Sequence, residues 1–377
     1  MSRLYQMAVN SLSPATWRYR WEKLQIGRFA LADRVGAKSG WASRRVRWPV
    51  PLRSPAYWRE VHVMRIGGVG DALMGTPALR ALRRRHPSCR IVYYTLYPEL
   101  FRGLGFVDES CHLEEFGHRS AVVAQRLSDE EAKISVDHVA YHDAARAGRV
   151  NLTYEHSIPP GRHIARIHGD HLDVEVRDVR PQCVIPREDV ERLDREWSGL
   201  PRPRVVLNRA ASPTTRNKEW MPEYWDALVS RFLEDMTVID IGATAIDDRF
   251  RGHPHHIDLR GKTRLLDLVP VMAAADLHVG PVSGPMHIAA AVAKPSVVLY
   301  GGYEPPHCTA YPGNVNLSTA LPCSPCWLLG PCPYDRKCMR QIPPERVEAE
   351  VRALWDRLRG VRGARDGAEV GSEVGST

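Results

Sequence analysis

The stretch from Ala274 to Gly301, AADLHVGPVSGPMHIAAAVAKPSVVLYG, constrains the fold of this chain more than any other. It predicts a short strand at Leu277–Val279, a tight loop, a helix of small residues and a second strand at Ser296–Tyr300. The loop Gly280–Pro285 holds two glycines and two prolines, so neither element can run through it. Ser283 or Gly284 starts the helix, with Pro285 in the first turn, where a missing N–H costs nothing. The alanines of Met286–Ala293 let the helix lie close against a sheet. A strand that feeds a helix N-terminus through small residues is how α/β sheets commonly meet a phosphate. The same pattern also serves as a plain βαβ crossover.

The plan recurs along the chain. Val61–Ile66 reads as a strand, followed by GGVGDALMGTPALRALRRR. There Leu73, Pro77, Leu79 and Leu82 form one helical face, and Arg80, Arg83, Arg84 and Arg85 the solvated one. Pro87 stops that helix, and Ile91–Thr95 is the next strand, giving a parallel βαβ unit. Strand-like runs follow at Val122–Ala124 and Val136–Tyr141, then a helix within Ser157–Asp173. Pro181, Pro186, Pro201 and Pro203 bracket a charged helix, Arg187–Trp197, and mark an interdomain linker. A second half then repeats strand, small-residue loop and helix: Val205–Asn208, Arg209–Lys218, Pro222–Leu233, Thr237–Ile241 ending at Gly242, and a helix at Leu265–Ala275. A final amphipathic helix spans Gln341–Arg359. The expectation is an α/β protein with two Rossmann-like domains facing a cleft. Its parts are a basic extension at 1–58, an N-terminal domain at 59–198, a C-terminal domain at 199–359 with a Cys-rich loop at 322–339, and a disordered tail at 360–377.

The Gly67–Gly70 loop is no dinucleotide fingerprint. Leu73 stands where a third glycine is needed, and no acid closes the second strand. A Walker lysine is also missing. What the loop offers is backbone N–H groups, at Gly68 and Gly70 among others, and one carboxylate, Asp71, at a helix start. On pattern alone Asp71 is either a capping residue or a functional acid.

Three stretches carry a resemblance. They are RIGGVGDALMGTPAL from Arg65, ASPTTRNKEWMPEYW from Ala211 with Lys218, Trp220 and Pro222, and GPMHIAAA from Gly284 followed by Lys294-Pro295 and a strand ending in Gly301-Gly302. Together they resemble the heptosyltransferases of glycosyltransferase family 9 over roughly residues 60–355. The resemblance implies a GT-B fold and inverting transfer of heptose from ADP-heptose to a lipopolysaccharide-type glycan or glycolipid acceptor. It implies that Asp71 is the general base on the acceptor hydroxyl, since a nucleophile must form as the anomeric bond breaks. The leaving diphosphate would meet Lys218 and the hydroxyls of Thr214 and Thr215. Ser283, Gly284, Pro285, Met286 and His287 would hold it at the helix N-terminus, with Gly68, Gly70 and Gly242 lining the nucleotide-sugar site. One departure stands out: Val282 takes the place of an acid that many members use to contact the sugar. A non-catalytic nucleotide-sugar or glycan-binding scaffold, a GT-B epimerase, or transfer to a protein or small-molecule acceptor are the alternatives, the motif pair of Asp71 and Lys218 favouring transfer.

Charge is concentrated at one end. Of 52 basic and 44 acidic residues, positions 1–60 hold twelve Lys/Arg and three Asp/Glu. Such an arm suits an anionic surface, and its interleaved Trp17, Tyr19, Trp21 and Trp41 suit a membrane interface. A solvated extension is the plainer reading, and nucleic acid is not an expected partner. With no apolar run long enough to span a bilayer and no apolar segment near Met1, the expected place is the cytoplasm, peripheral at the inner membrane. Half of the eight cysteines fall at Cys323, Cys326, Cys332 and Cys338. The Cys-x2-Cys pair, with two further cysteines, is the spacing of a structural zinc or iron site; free thiols or disulfides are the alternatives. Catalysis itself is expected to need no cofactor.

Overall fold

The computed structural model describes residues 60–65, 67–115, 132–137, 161–244, 249–328 and 330–373. The chain divides into two compact units, Met1–Ser54 and Pro55–Thr377, and all described residues belong to the second. The basic extension and the runs expected at Val122–Ala124 and 138–141 lie outside them.

Two parallel sheets form the frame. In the first, β1 (Glu60–Arg65) lies between β2 (Arg90–Thr95) and β4 (Ala132–Asp137), with β3 (Glu109–His112) beyond β2. Val61, Val63, Ile91, Val92, Tyr93 and Tyr94 are buried, as continuous apolar strands covered on both faces must be. Helix α1 (Val69–Arg85) crosses from β1 to β2 and packs against α2 (Ile164–His171). Its Pro77 removes the N–H that would bond Leu73 O. The Thr76 hydroxyl takes over that carbonyl at 2.8 Å, so the helix continues without an orphaned acceptor.

The second sheet is built from β5 (Arg204–Asn208), β6 (Thr237–Ile241), β7 (His256–Asp258), β8 (Leu277–Pro281), β9 (Ser296–Gly301) and β10 (Val315–Ser318) in the order β10-β9-β8-β5-β6-β7, all parallel. The order reverses between β5 and β8. In open α/β sheets such a reversal leaves a crevice at the carboxyl ends of the strands, where ligands bind. In the first sheet the reversal flanks β1, whose following loop is Gly67–Gly68.

Helix α3 (Arg187–Glu196) is expected at the close of the first domain, yet it packs on α5 (Leu268–Ala274) of the second half. Buried Arg204 at the start of β5 fastens it, bonding Asp194 at 3.0 Å and the Trp197 carbonyl at 2.6 Å. Helix α4 (Pro222–Phe232) buries Trp225, Leu228, Val229 and Phe232 against Val347, Val351 and Leu354 of α8 (Pro344–Glu373). That last helix continues through most of the 360–377 tail expected to be disordered. One apolar core runs from Val61 and Leu79 of the first half to Val206, Met286 and Tyr300 of the second. The helix α6 (Gly284–Ala291) between β8 and β9 carries much of that continuity.

Candidate active site

The loops at the two reversals meet. A Cβ placed on Gly70 would lie 2.4 Å from Cδ2 of His287, and one on Gly284 would lie 2.2 Å from Cγ1 of Val69. The N-termini of α1 and α6 therefore interlock, and each touches the other through a glycine. No larger residue fits at either place without displacing its neighbour.

Asp71 is the third residue of α1, with its side chain 27% exposed. Its Oδ2 accepts the Gly68 N–H at 2.8 Å, and its Oδ1 accepts from Arg65 Nη2 at 2.9 Å. The capping role read from pattern is thus present, and a functional role is compatible with it. A carboxylate has about four lone-pair sites, so Asp71 can still accept a proton from a hydroxyl in the cleft. Arg65 also donates through Nε to the Asp71 carbonyl at 3.2 Å, fixing the turn that aims the carboxylate.

His287 lies buried in the first turn of α6. Burial, then the positive charge of His163 and of Lys218, pulls its pKa down to about 3, so the ring is neutral at physiological pH. Nδ1 sits 2.6 Å from the Tyr311 hydroxyl. A phenol donating to Nδ1 leaves the proton on Nε2, which lies at Gly70. Tyr311 is itself pushed well above the ordinary tyrosine value by burial, then by Tyr300 and by the negative charge of Asp71. The His287–Tyr311 pair therefore lies within electrostatic reach of both Lys218 and Asp71.

Lys218 closes the 3-10 turn Pro213–Lys218 after β5. Its Nζ lies 2.5 Å from Glu304 Oε2 and 4.6 Å from the centre of the Tyr303 ring. Ser283 caps α6 by position. Its hydroxyl accepts from Asn208 Nδ2 at 2.7 Å and donates to the Pro281 carbonyl at 3.1 Å, tying the end of β5 to the loop after β8 across the crevice. Pro285 occupies the first turn as expected. Met286 is fully buried, its sulfur 4.0 Å from the Tyr300 hydroxyl, so only its backbone can serve the cleft. The Thr215 hydroxyl bonds Ser212 O at 3.3 Å within its own turn, and Thr214 shares that turn. Gly242 lies one strand further out, after β6 against Arg260, away from the α1–α6 seam. Val282 is buried in the apolar core.

Sequence reasoning assigned no role to Arg65, Asn208, Glu304, Thr309 or Tyr311. Glu304 stands three residues after the end of β9, at the carboxyl edge of the sheet, and that position is the one signal that could have found it.

The Cys-rich loop docks on the turn after β9: Cys326 N–H bonds the Gly302 carbonyl and Trp327 N–H the Tyr303 carbonyl, both at 3.0 Å. All four cysteines are free. The Cys326 thiol is raised by burial and by Cys338, Cys332 and Cys323, and the Cys338 thiol by burial and by Cys332 and Cys323. Four soft sulfur donors on one loop match zinc or iron in kind, although among the described residues no three His, Cys, Asp or Glu converge to metal-binding distance.

The family model of glycosyltransferase family 9 (heptosyltransferase) matches residues 120–329, more than half of the chain. Lipopolysaccharide heptosyltransferase 1 of Pseudomonas aeruginosa is 27% identical over 158 residues, 36% of this chain and 44% of that relative. The match thus spans under half the length of the curated relative. Among solved structures, ADP-heptose lps heptosyltransferase II of E. coli superposes with a TM-score of 0.57 at 18% identity, covering 80% of this chain and 99% of that one. TibC of enterotoxigenic E. coli, an iron-containing dodecameric glycosyltransferase, superposes with a TM-score of 0.57 at 17% identity, covering 80% and 77%. It has also been solved with ADP-D-beta-D-heptose. The two-sheet arrangement is the GT-B fold of these neighbours.

Proposed function

Because this chain belongs to glycosyltransferase family 9, the heptosyltransferase family, we propose that it transfers a heptose from ADP-heptose, with inversion, to a lipopolysaccharide-core-type acceptor. Asp71 is the base that takes the proton of the acceptor hydroxyl, held at its angle by Arg65 and the Gly68 N–H. Lys218 and the N-terminus of α6, with the neutral His287, receive the diphosphate as negative charge develops on it. One observation carries the reading. An acid and an ammonium both act on the His287–Tyr311 pair, Asp71 on the phenol and Lys218 on the imidazole, at the meeting of two helix N-termini. A base for the nucleophile and a cation for the leaving group are the two demands of this transfer.

The test uses the full-length protein with ADP-heptose and a lipopolysaccharide acceptor from a heptose-deficient bacterium. ADP release coupled to a gain of one heptose on the acceptor is the expected result. Protein that binds ADP-heptose yet releases no ADP with any glycolipid, protein or small-molecule acceptor is a binding scaffold instead.

The same reading gives the Cys-rich loop a structural zinc or iron, held by Cys323, Cys326, Cys332 and Cys338, which would fasten the loop after β9 without entering the chemistry. It also places the enzyme in the cytoplasm at the inner membrane, its basic first 58 residues meeting anionic headgroups. Salt-sensitive cosedimentation with phosphatidylglycerol vesicles is expected, and indifference to lipid charge counts against it.

A further inference from the structure

Lys218 does not stand in the cleft as a lone cation. Its ammonium is paired at 2.5 Å with Glu304, whose side chain is only 4% exposed against 14% for the lysine. The carboxylate is held from behind: Oε1 accepts from Thr309 Oγ1 at 2.8 Å, and the Tyr300 hydroxyl lies 3.1 Å from that threonine oxygen, one step behind the carboxylate. Tyr300 in turn reaches the sulfur of Met286 in the first turn of α6. Glu304 thus joins the turn after β5 to the helix that faces it across the crevice. A carboxylate this buried is sustained by its ionic partner and its hydrogen bonds.

We infer that Glu304 is a counter-ion residue acting through Lys218, fixing the ammonium for the donor's diphosphate while offsetting its charge so that the nucleoside diphosphate can leave. This rests on the reading of Lys218 as a diphosphate ligand. An ammonium that bridges Glu304 and a phosphate oxygen holds two negative groups within a few ångströms of each other. At protein-like dielectric that repulsion weakens the grip on the diphosphate by about tenfold or more. A cleft with Lys218 alone would bind product more tightly and turn over more slowly.

Calorimetric binding of ADP to the full-length protein distinguishes charge from scaffolding. Glu304→Gln keeps the size and the acceptor for Thr309 but removes the charge. It is expected to bind ADP about tenfold more tightly and to release it more slowly. A residue with a purely structural role would give weaker or unchanged binding. Lys218→Ala leaves a buried carboxylate facing the diphosphate and is expected to lose about a hundredfold in affinity. The double variant Lys218→Ala/Glu304→Gln should recover about tenfold of that loss. Unchanged or weaker ADP binding in a folded Glu304→Gln protein overturns the counter-ion role, as does a double variant no better than Lys218→Ala. If Glu304→Gln alone fails to fold, the comparison of Lys218→Ala with the double variant decides. A Lys218→Ala protein that binds ADP like the wild type overturns the diphosphate role of the lysine itself, a separate result.

Discussion

The imidazole of His287 occupies the space that a side chain on Gly70 would fill. This contact joins the two halves of the molecule at the place where both sheets reverse their strand order. Each reversal supplies a loop and a helix N-terminus, and each helix approaches the other through a glycine. The seam is therefore a steric match between four residues, Val69, Gly70, Gly284 and His287. Its closeness brings Asp71 on one side toward the Lys218–Glu304 pair on the other.

That match gives the first prediction. Gly284→Ala forces a Cβ to within 2.2 Å of Val69 Cγ1 and is expected to cost about 1–3 kcal/mol of stability, as overpacking does. Because the obstacle is one methyl, Val69→Ala/Gly284→Ala should restore most of the loss. Thermal unfolding of the three variants measures this. A double variant that only adds the two single losses would show that the seam is not where the strain arises.

The assignment of the base gives the second. Asp71→Asn retains a side-chain oxygen for one of its two contacts but cannot take a proton. It is expected to keep donor affinity and lose about 10²–10⁴-fold in transfer rate. Near wild-type single-turnover transfer would remove Asp71 from the chemistry.

The elements around the site were legible in the sequence because each carries its own local signal. The β8–α6–β9 unit follows from the two Gly/Pro clusters and the alanine run, and β1–α1–β2 from a glycine loop followed by helical periodicity. Strands β3, β7 and β10 carried no such signal. All three are short edge strands, such as His256–Asp258, half-buried and with few apolar residues to mark them. The placement of α3 was hidden for a different reason, since its partners Arg204 and α5 are tertiary neighbours. In sequence Glu304 is an acid followed by two prolines, with nothing local to mark it. Only the fold reveals that it is buried against a lysine 86 positions away.

Buried histidines set the acid limit of the fold. Burial pulls His163 down to about 4 and His278 and His287 down to about 3, from an ordinary value of 6.5. The unfolded chain therefore binds more protons than the folded one between those values. Their contribution is fully present above pH 6.5 and is lost progressively as pH falls toward 3–4. Ordinary carboxylates titrate near the bottom of this window, so a decline in melting temperature that starts below about pH 6.5 reports the histidines. A melting temperature that stays flat from about pH 7 to about pH 5 would mean these rings are not held neutral.

The last prediction concerns the Cys-rich loop. Its backbone is pinned to the β9 turn by the Cys326–Gly302 and Trp327–Tyr303 hydrogen bonds. Cys338 is the second residue of a one-turn helix, Lys337–Arg340, whose Met339 lies in the core between β9 and α8. A metal held by Cys323, Cys326, Cys332 and Cys338 would thus lock the end of the loop to the helix that continues the core. Protein purified without chelator is expected to hold roughly one zinc or iron per chain. Its removal should lower the melting temperature, because a metal that binds only the folded state stabilises it. Lys218, Glu304 and His287, the residues proposed to serve the donor, lie outside the four-cysteine set, so ADP affinity at low temperature should survive metal removal. Elemental analysis that finds neither metal in reduced, active protein would refute the site.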